Sequence, residues 1–333
     1  MKQGYNRLIL VCRSARRECS MSSALVRRVS AVLLLLLLGG ALFLLYRQNQ
    51  RPALPAGIAG GNGRLEAVEV DVATKVAGRL AKVLPHEGDN VTAGQVVLME
   101  VFTAVRCVNC PAGREIINDL LDSFPGRIEV VEIHSGDLAV PIHNTDPDFR
   151  CEDADNITAY LGPFPFQPSA AIDRKSWELT PGNVQRLIDR NYWNLMVRQG
   201  LDSLPSVKIS IEKDYNAGSR LLTVTMKVDF LKDVSDIINA TLLLTESGMV
   251  AAQDSGPTDV VEDYVHEDVL RTFLTSHSGE LVNAEKTAGS SWSITRSITL
   301  PVEWNAGNCR VIGFVSKSAG TYDVLQSAGT SIN

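Results

Sequence analysis

The chain has 333 residues, of which 45% are hydrophobic and 21% are charged. This length and composition allow two ordinary domains and exclude a largely disordered chain. The net charge of −6, with no basic stripe beyond the N-terminus, gives no reason to expect nucleic acid as a partner.

The N-terminal region combines a basic leader with an apolar segment. Residues 1–28 are rich in Lys and Arg, and the segment Val29–Tyr46 carries no charge. A helix of about 17–25 apolar residues crosses a bilayer, and an excess of basic residues before it keeps the N-terminus in the cytoplasm. We therefore expect a bacterial inner-membrane protein with one transmembrane helix and its body in the periplasm. A cleaved signal peptide is the alternative, although "LFLLYRQNQRP" lacks a small-x-small cleavage pattern. A start at Met21 would remove Cys12 and Cys19.

The next segment predicts a linker followed by a small hairpin. Residues 47–62 include a Pro- and Gly-rich stretch, and residues 63–95 alternate in hydrophobicity around Gly-Asp turns. The stretch "GRLEAVEVDVATKVAGRLAKVLPHEGDNVTAGQVVLME" resembles the lipoyl-like half-motif of HlyD-type membrane-fusion adaptors. The resemblance implies an adaptor that contacts an inner-membrane transporter. The helical hairpin, second half-motif and β-barrel of that family are not recognisable here.

Strand and helix patterns alternate from residue 96. The predicted strands are "VVLMEVFT" (96–103), "RIEVVEIH" (127–134) and "PSAAID" (168–173), and the predicted helices are 111–123, 152–161 and 181–200. This alternation predicts an α/β domain around a central sheet. The strand "VVLME" also fits the preceding hairpin, but burial on both of its faces favours the α/β domain.

After Pro205 the pattern becomes all-β. Six period-two segments follow, "SVKISIEKDY", "LLTVTMKVDF", "NATLLLTES", "SWSITRSITL", "CRVIGFVSK" and "YDVLQSAGTSI". They predict an antiparallel, immunoglobulin-like β-sandwich. The long polar connection 251–288 contains one predicted helical turn at "VHEDVLRTFL".

The segment Cys107-Val108-Asn109-Cys110-Pro111 has the spacing of a redox motif. It follows a strand and precedes a helix, so Cys107 lies where unpaired N–H groups and the helix dipole favour a thiolate. This position indicates that Cys107 is the nucleophile and Cys110 the resolving thiol. Arg106 either lowers the pKa of Cys107 further or is an ordinary solvated arginine. A permanent structural disulfide stays open as the alternative, and a zinc site would need ligands that the spacing does not offer.

Pro168 and the cysteine segment also carry a family resemblance. Together, "VVLMEVFTAVRCVNCPAG", "YLGPFPFQPSAAIDR", "YVHEDVLR" and "VIGFV" resemble the outer-membrane-protein-28-related family over about residues 97–333. The resemblance implies a thioredoxin-like domain followed by a β-sandwich, in the cell envelope. In thioredoxin-like folds a proline at the place of Pro168 packs beside the cysteines and presents backbone to an extended partner. Ala104 departs from the family pattern, which usually has glycine there.

Other candidate residues are weaker. His266 is predicted to be solvated in a surface turn, and "DPD" and "CEDAD" lack the pattern of an EF-hand loop. No metal or cofactor is therefore expected, and the pairing of Cys151 and Cys309 is left open.

The sequence thus predicts six regions: a cytoplasmic leader (1–28), a transmembrane anchor (29–46), a linker (47–62), a partial lipoyl-like hairpin (63–95), a thioredoxin-like domain (96–203) and a β-sandwich domain (204–333). The predicted function is thiol–disulfide exchange on an envelope protein or peptide through Cys107 and Cys110, with Pro168 shaping the partner groove. The alternative is a non-enzymatic adaptor or binding module of an efflux or secretion assembly.

Overall fold

The computed structural model describes residues 39–40, 94–318 and 320–333. The predicted leader and linker, most of the anchor Val29–Tyr46 and nearly all of the hairpin 63–95 lie outside these residues. Among the described helices, none has both the length and the apolar character that a membrane crossing requires.

The described chain is mostly β-structure with few helices. The strands are β1 Val97–Thr103, β2 Ile128–His134, β3 Ser169–Ile172, β4 Trp177–Thr180, β5 Asn183–Gln185, β6 Leu187–Asp189, β7 Val207–Asn216, β8 Leu221–Phe230, β9 Ile238–Glu246, β10 Met249–Asp254, β11 Val260–His266, β12 Val269–Phe273, β13 Glu280–Leu281, β14 Ser291–Thr299, β15 Cys309–Lys317 and β16 Val324–Ser331. The α-helices are α1 Cys110–Ser123, α2 Glu152–Leu161 and α3 Trp193–Leu201, and short 3-10 helices lie at Asp137–Ala139, Arg190–Tyr192 and Ala306–Asn308.

One large mixed sheet runs through the molecule in the order β16-β15-β9-β12-β2-β1-β3-β6, with β13 paired to β9. Strand β1 lies inside this sheet, parallel to β2 and antiparallel to β3. All seven residues of β1 are buried, as expected for an apolar strand covered on both faces. The segment "VVLME" therefore belongs to this sheet.

The two faces of β1 pack against different helices. Val97, Met99 and Val101 form a core with α1 and α3. Leu98 and Phe102 point to the other face, into a core that includes α2 and residues of β9, β12 and β15. This alternation follows from the period of two along a strand.

The C-terminal half adds a second layer. Strands β14, β8 and β7 form a three-stranded sheet, and their apolar residues pack against β9 and β15 of the large sheet. All six strand segments predicted after Pro205 are present.

Strand β12 joins the two halves. It pairs in parallel with β2 at Val269 and Glu132 and in antiparallel with β9. The N–H of Glu132 also donates to the carbonyl of Asp268 at 2.8 Å. The N-terminal and C-terminal halves of the described chain therefore share a continuous sheet.

Two predicted elements are wrong. The helix predicted over 181–200 begins only at Trp193, because Leu187–Asp189 pairs with β3 as an edge strand. The helical turn predicted at "VHEDVLRTFL" is instead the end of β11 and all of β12. Leu187–Asp189 pairs with β3, and β12 pairs with β9 and β2, and local pattern does not reveal these partners.

Candidate functional site

The two cysteines of the Cys-x-x-Cys segment lie at the start of α1. Cys107 and Cys110 form a disulfide with a Cα–Cα distance of 5.4 Å. The cysteines are 4% and 5% exposed, whereas Val108 between them is 42% exposed. Solvent therefore reaches the turn at Val108 and Asn109 but hardly reaches the cysteines.

Main-chain bonds and one arginine hold this turn. The N–H of Cys107 donates to Ala104 O at 3.1 Å, and the N–H of Cys110 donates to Cys107 O at 3.0 Å. Arg190 donates to the carbonyl oxygen of Asn109 at 2.7 Å. Pro111 occupies the first turn of α1, where a missing N–H leaves no intrahelical bond unmade. The positive end of the helix dipole therefore points at the cysteine pair.

Pro168 lies against the same helix. The Gln167–Pro168 peptide bond is cis. A Cβ atom on Gly113 would lie 3.0 Å from Cγ of Pro168 and 3.3 Å from the Trp193 ring, so only glycine fits this crossing without a shift. The structure thus places Pro168 next to the first turns of α1.

Gln253 contacts the cysteine turn from the other half of the chain. Its side-chain amide, in a residue that is 2% exposed, donates to the carbonyl oxygens of Ala104 at 3.3 Å and Cys107 at 3.1 Å. The backbone N–H of Asp254 donates to Val105 O at 2.8 Å. The hairpin formed by β10 and β11 therefore anchors the loop that carries Cys107. Gln253 was not predicted from the sequence, since no local pattern indicates a contact between residues so far apart in the chain.

Arg106 points toward a neighbouring loop. Its guanidinium donates to the carbonyl oxygens of Val140 at 2.8 Å and Pro141 at 2.6 Å, and its backbone N–H donates to Leu138 O at 2.9 Å. These bonds fix the loop after β2 beside the cysteine turn. An influence of Arg106 on the pKa of Cys107 stays a prediction.

His266 belongs to a buried aromatic cluster, so the prediction of a solvated histidine is wrong. It is 2% exposed, and its ring lies 5.6 Å from His134, 4.7 Å from Phe149 and 4.8 Å from Tyr264, measured between centroids. Burial lowers the pKa of His266 to about 4. Burial and the neighbouring His266 lower the pKa of His134 to about 3. Both imidazoles are therefore neutral at pH 7, and they join the hairpin to the end of β2.

The remaining cysteines are separate from this site. Cys151 and Cys309 are free thiols in the described part of the chain. Burial raises the pKa of Cys309 to about 12 and also raises that of Cys151, so neither is poised as a thiolate.

The acidic segments have structural partners. Asp148 of "DPD" pairs with Arg150 at 2.7 Å, and Asp153 of "CEDAD" accepts from Thr272 and from the N–H of Phe273. Within residues 94–318 and 320–333, no group of three or more His, Cys, Asp or Glu side chains is arranged to hold a metal ion.

Comparison with known families identifies the chain. The family model described as outer membrane protein Omp28 matches residues 165–333, just over half of the 333 residues. This chain belongs to the Omp28 family. The Omp28 match covers Pro168 and the segments "YVHEDVLR" and "VIGFV" but not the cysteine segment, and it places the chain among cell-envelope proteins.

One solved structure shows a related fold. HBP35 of Porphyromonas gingivalis matches with a TM-score of 0.56 and 16% identity, over 73% of this Omp28 family member and 77% of that chain. A domain of the outer membrane lipoprotein Omp28 from Porphyromonas gingivalis matches with a TM-score of 0.27 and 18% identity, over 39% of this chain and 91% of that one. At such identities the match to HBP35 shows a likeness of fold alone. No curated protein matches this chain.

The Omp28 assignment corrects the predicted location. A single-pass protein of the inner membrane was expected from Val29–Tyr46, but the family that matches is one of outer membrane proteins. The N-terminal charge pattern was thus misleading about which membrane is involved. The resemblance of residues 25–100 to HlyD-type adaptors finds no support in these matches. The transporter contact that it implied stays a prediction.

Proposed function

We propose that residues 96–203 form a thioredoxin-like domain and that it carries out thiol–disulfide exchange on envelope polypeptides. The observation that carries the proposal is the Cys107–Cys110 disulfide at the N-terminus of α1, with Pro168 packed against the same helix. A helix N-terminus lowers the pKa of an adjacent thiol, and a low pKa makes a thiol a good leaving group and a ready nucleophile.

The two cysteines alone supply both electrons of the exchange and need no other reductant. In the reduced protein, the Cys107 thiolate attacks a substrate disulfide, a mixed disulfide forms and one substrate thiolate leaves. The Cys110 thiolate then attacks the Cys107 sulfur, closes the internal disulfide and releases the second substrate thiolate. Two electrons pass to the substrate, and the reverse sequence oxidises a substrate dithiol.

One observation favours a second candidate. Both cysteines are almost completely buried, which is typical of a structural disulfide that is never reduced. The chain would then be a non-enzymatic binding module of the envelope, and the cysteines would only stabilise the turn before α1.

Trapping of the mixed disulfide separates the two functions. We expect the full-length Cys110→Ser variant, once reduced, to retain one glutathione on Cys107 after treatment with oxidised glutathione. Peptide mapping by mass spectrometry locates the adduct, and the Cys107→Ser variant is the matched control. A glutathione adduct found only on cysteines other than Cys107, or equal labelling of both variants, would contradict the exchange function.

A further inference from the structure

A groove lies beside the cysteine helix, between α1 and strand β11. It has a volume of about 480 Å³ and is lined on one side by Pro111, Arg114 and Asn118 and on the other by Tyr264 and Val265. Pro111 directly follows Cys110, so the groove runs along the first turns of the helix that begins at Cys110, although neither cysteine lines it.

Strand β11, which lines the groove with Tyr264 and Val265, also has a free sheet edge. Among the described residues β11 pairs with β10 alone. An unpaired edge presents N–H and C=O groups that can accept a further strand from another chain. The cysteine site therefore lies next to a strand that can extend its sheet.

Exposed valines line this hairpin. Val250 is 55% exposed, its cross-strand partner Val265 is 46% exposed, and Val260 and Val261 are 39% and 38% exposed. Branched apolar side chains on an exposed strand favour apolar side chains on an added strand.

The charge of this hairpin indicates the sign of charge that a partner would carry. The segment Met249–Asp268 contains no Lys or Arg and six acids, which are Asp254, Asp259, Glu262, Asp263, Glu267 and Asp268. The arginine that lines the groove, Arg114, is paired with Asp268 at 2.9 Å and with Glu132 at 3.3 Å. Glu115 and Glu267 lie at the groove as well. Its surroundings therefore favour a positively charged partner.

We propose that β11 binds an extended segment of a polypeptide in which basic and valine-like residues alternate, as a third strand of the β10–β11 sheet. This proposal rests on the proposed exchange function and names its substrate class. Pro111, which directly follows Cys110, lines the groove opposite Tyr264 and Val265 of β11, so a segment bound along β11 lies near the first turn of α1. Main-chain pairing supplies affinity, and the acidic hairpin selects the charge of the segment.

Binding is measured without any exchange chemistry. The probe is a short fluorescent peptide of alternating lysine and valine that contains no cysteine, and its binding to the oxidised full-length protein is followed by anisotropy. Matched peptides carry glutamate instead of lysine, or N-methyl groups on alternate amides. We expect the lysine peptide to bind and the glutamate peptide not to bind. We expect N-methylation to abolish binding, because it removes donors of the strand pairing.

Charge variants test the hairpin itself. We expect Glu262→Gln combined with Asp263→Asn to weaken binding of the lysine peptide about five-fold, the effect of removing two exposed charge contacts. Glu212→Gln combined with Asp214→Asn removes two exposed charges from β7 of the three-stranded sheet and should leave the affinity unchanged.

Three results would each overturn the proposal. The first is equal affinity for the lysine and glutamate peptides, and the second is an affinity unchanged by N-methylation. The third is an equal effect of the two double variants on binding of the lysine peptide. Because the peptide carries no cysteine, a failure of disulfide exchange would leave this result intact. Conversely, an active cysteine pair without peptide selectivity would refute only the strand-binding proposal.

Discussion

Gln253 and the cysteine turn lie far apart in sequence, and a buried side-chain amide connects them. Each of the two carbonyls also accepts a main-chain N–H, so the amide adds a second hydrogen bond to each, and one such bond contributes about 0.5–1.5 kcal/mol. At the residue scale, the loop that carries Cys107 therefore depends on a residue of the C-terminal half.

We expect Gln253→Ala to lower the free energy of unfolding by about 1–3 kcal/mol, since it leaves the Ala104 and Cys107 carbonyls without their side-chain donor. Unfolding in guanidinium chloride, followed by circular dichroism, measures this loss. Gln185→Ala removes an amide that bonds only to Asn183 at the surface, and we expect a change within about 0.5 kcal/mol. Equal losses in the two variants would contradict the role given to Gln253.

The histidine cluster predicts a dependence on pH. The pKa of His134 is lowered by burial to about 3, so the folded protein keeps this imidazole neutral. Above about pH 6.5 the ring is also neutral in the unfolded chain, and its contribution to stability is complete. As the pH falls toward 3 the unfolded chain takes up a proton that the folded protein does not, and this contribution is lost.

The His134→Phe variant isolates this effect from other groups. Glu132 acts in the opposite direction, since burial raises its pKa to about 7. The difference in unfolding free energy between variant and wild type removes that background. We expect this difference to shift in favour of the variant by up to about 1.4 kcal/mol per pH unit between pH 6 and pH 4. A difference that stays constant from pH 8 to pH 4 would show that His134 titrates normally.

At the scale of elements, strong local periodicity was sufficient for most predictions. The helix after the cysteines and the six strands after Pro205 have apolar residues at regular spacing, and all of them are present. The helix predicted over 181–200 was wrong because Ile188 is completely buried in a strand, where it pairs with Ala170. The apolar residues of this segment also fit helical spacing, so the sequence pattern did not reveal the strand pairing. Local pattern also predicted the wrong surroundings for His266, since its aromatic neighbours come from two other segments.

The packing of α1 on Pro168 is testable with a valine pair. We expect Gly113→Val to destabilise the protein by about 1–3 kcal/mol, because the added atoms overlap with Pro168 and Trp193. We expect Ala112→Val, on the exposed side of the same turn, to destabilise the protein by only about 0.5 kcal/mol, because valine has a lower helix propensity than alanine. Thermal unfolding of both variants measures the two effects. If Gly113→Val is no worse than Ala112→Val, the contact with Pro168 is not tight.

At the scale of the whole molecule, the continuous sheet makes the two halves interdependent. The sequence indicated an α/β half and a sandwich half, and it located the Cys107–Cys110 pair. It did not indicate that β12 would pair with both β2 and β9, because the local sequence pattern of a strand does not identify its pairing partners. For the same reason the contacts of Gln253 and Arg190 with the cysteine turn were not predictable.

This continuity predicts cooperative unfolding. Variants that retain only Trp193 or only Trp304 report on the first and the second half, respectively, by fluorescence. We expect both to unfold in urea at the same midpoint, since β12 is shared by the two halves. Separate midpoints would mean that the shared strand does not couple them.

Exchange of electrons between the Cys107–Cys110 pair and a partner is tested most directly by the reduction potential of this pair. The full-length protein is equilibrated in glutathione and dithiothreitol buffers of known potential, and the reduced fraction is read by thiol alkylation and peptide mass. We predict a potential of about −120 to −270 mV, the range of known thiol–disulfide oxidoreductases. A pair that remains oxidised below about −300 mV would contradict the exchange function and identify the disulfide as structural.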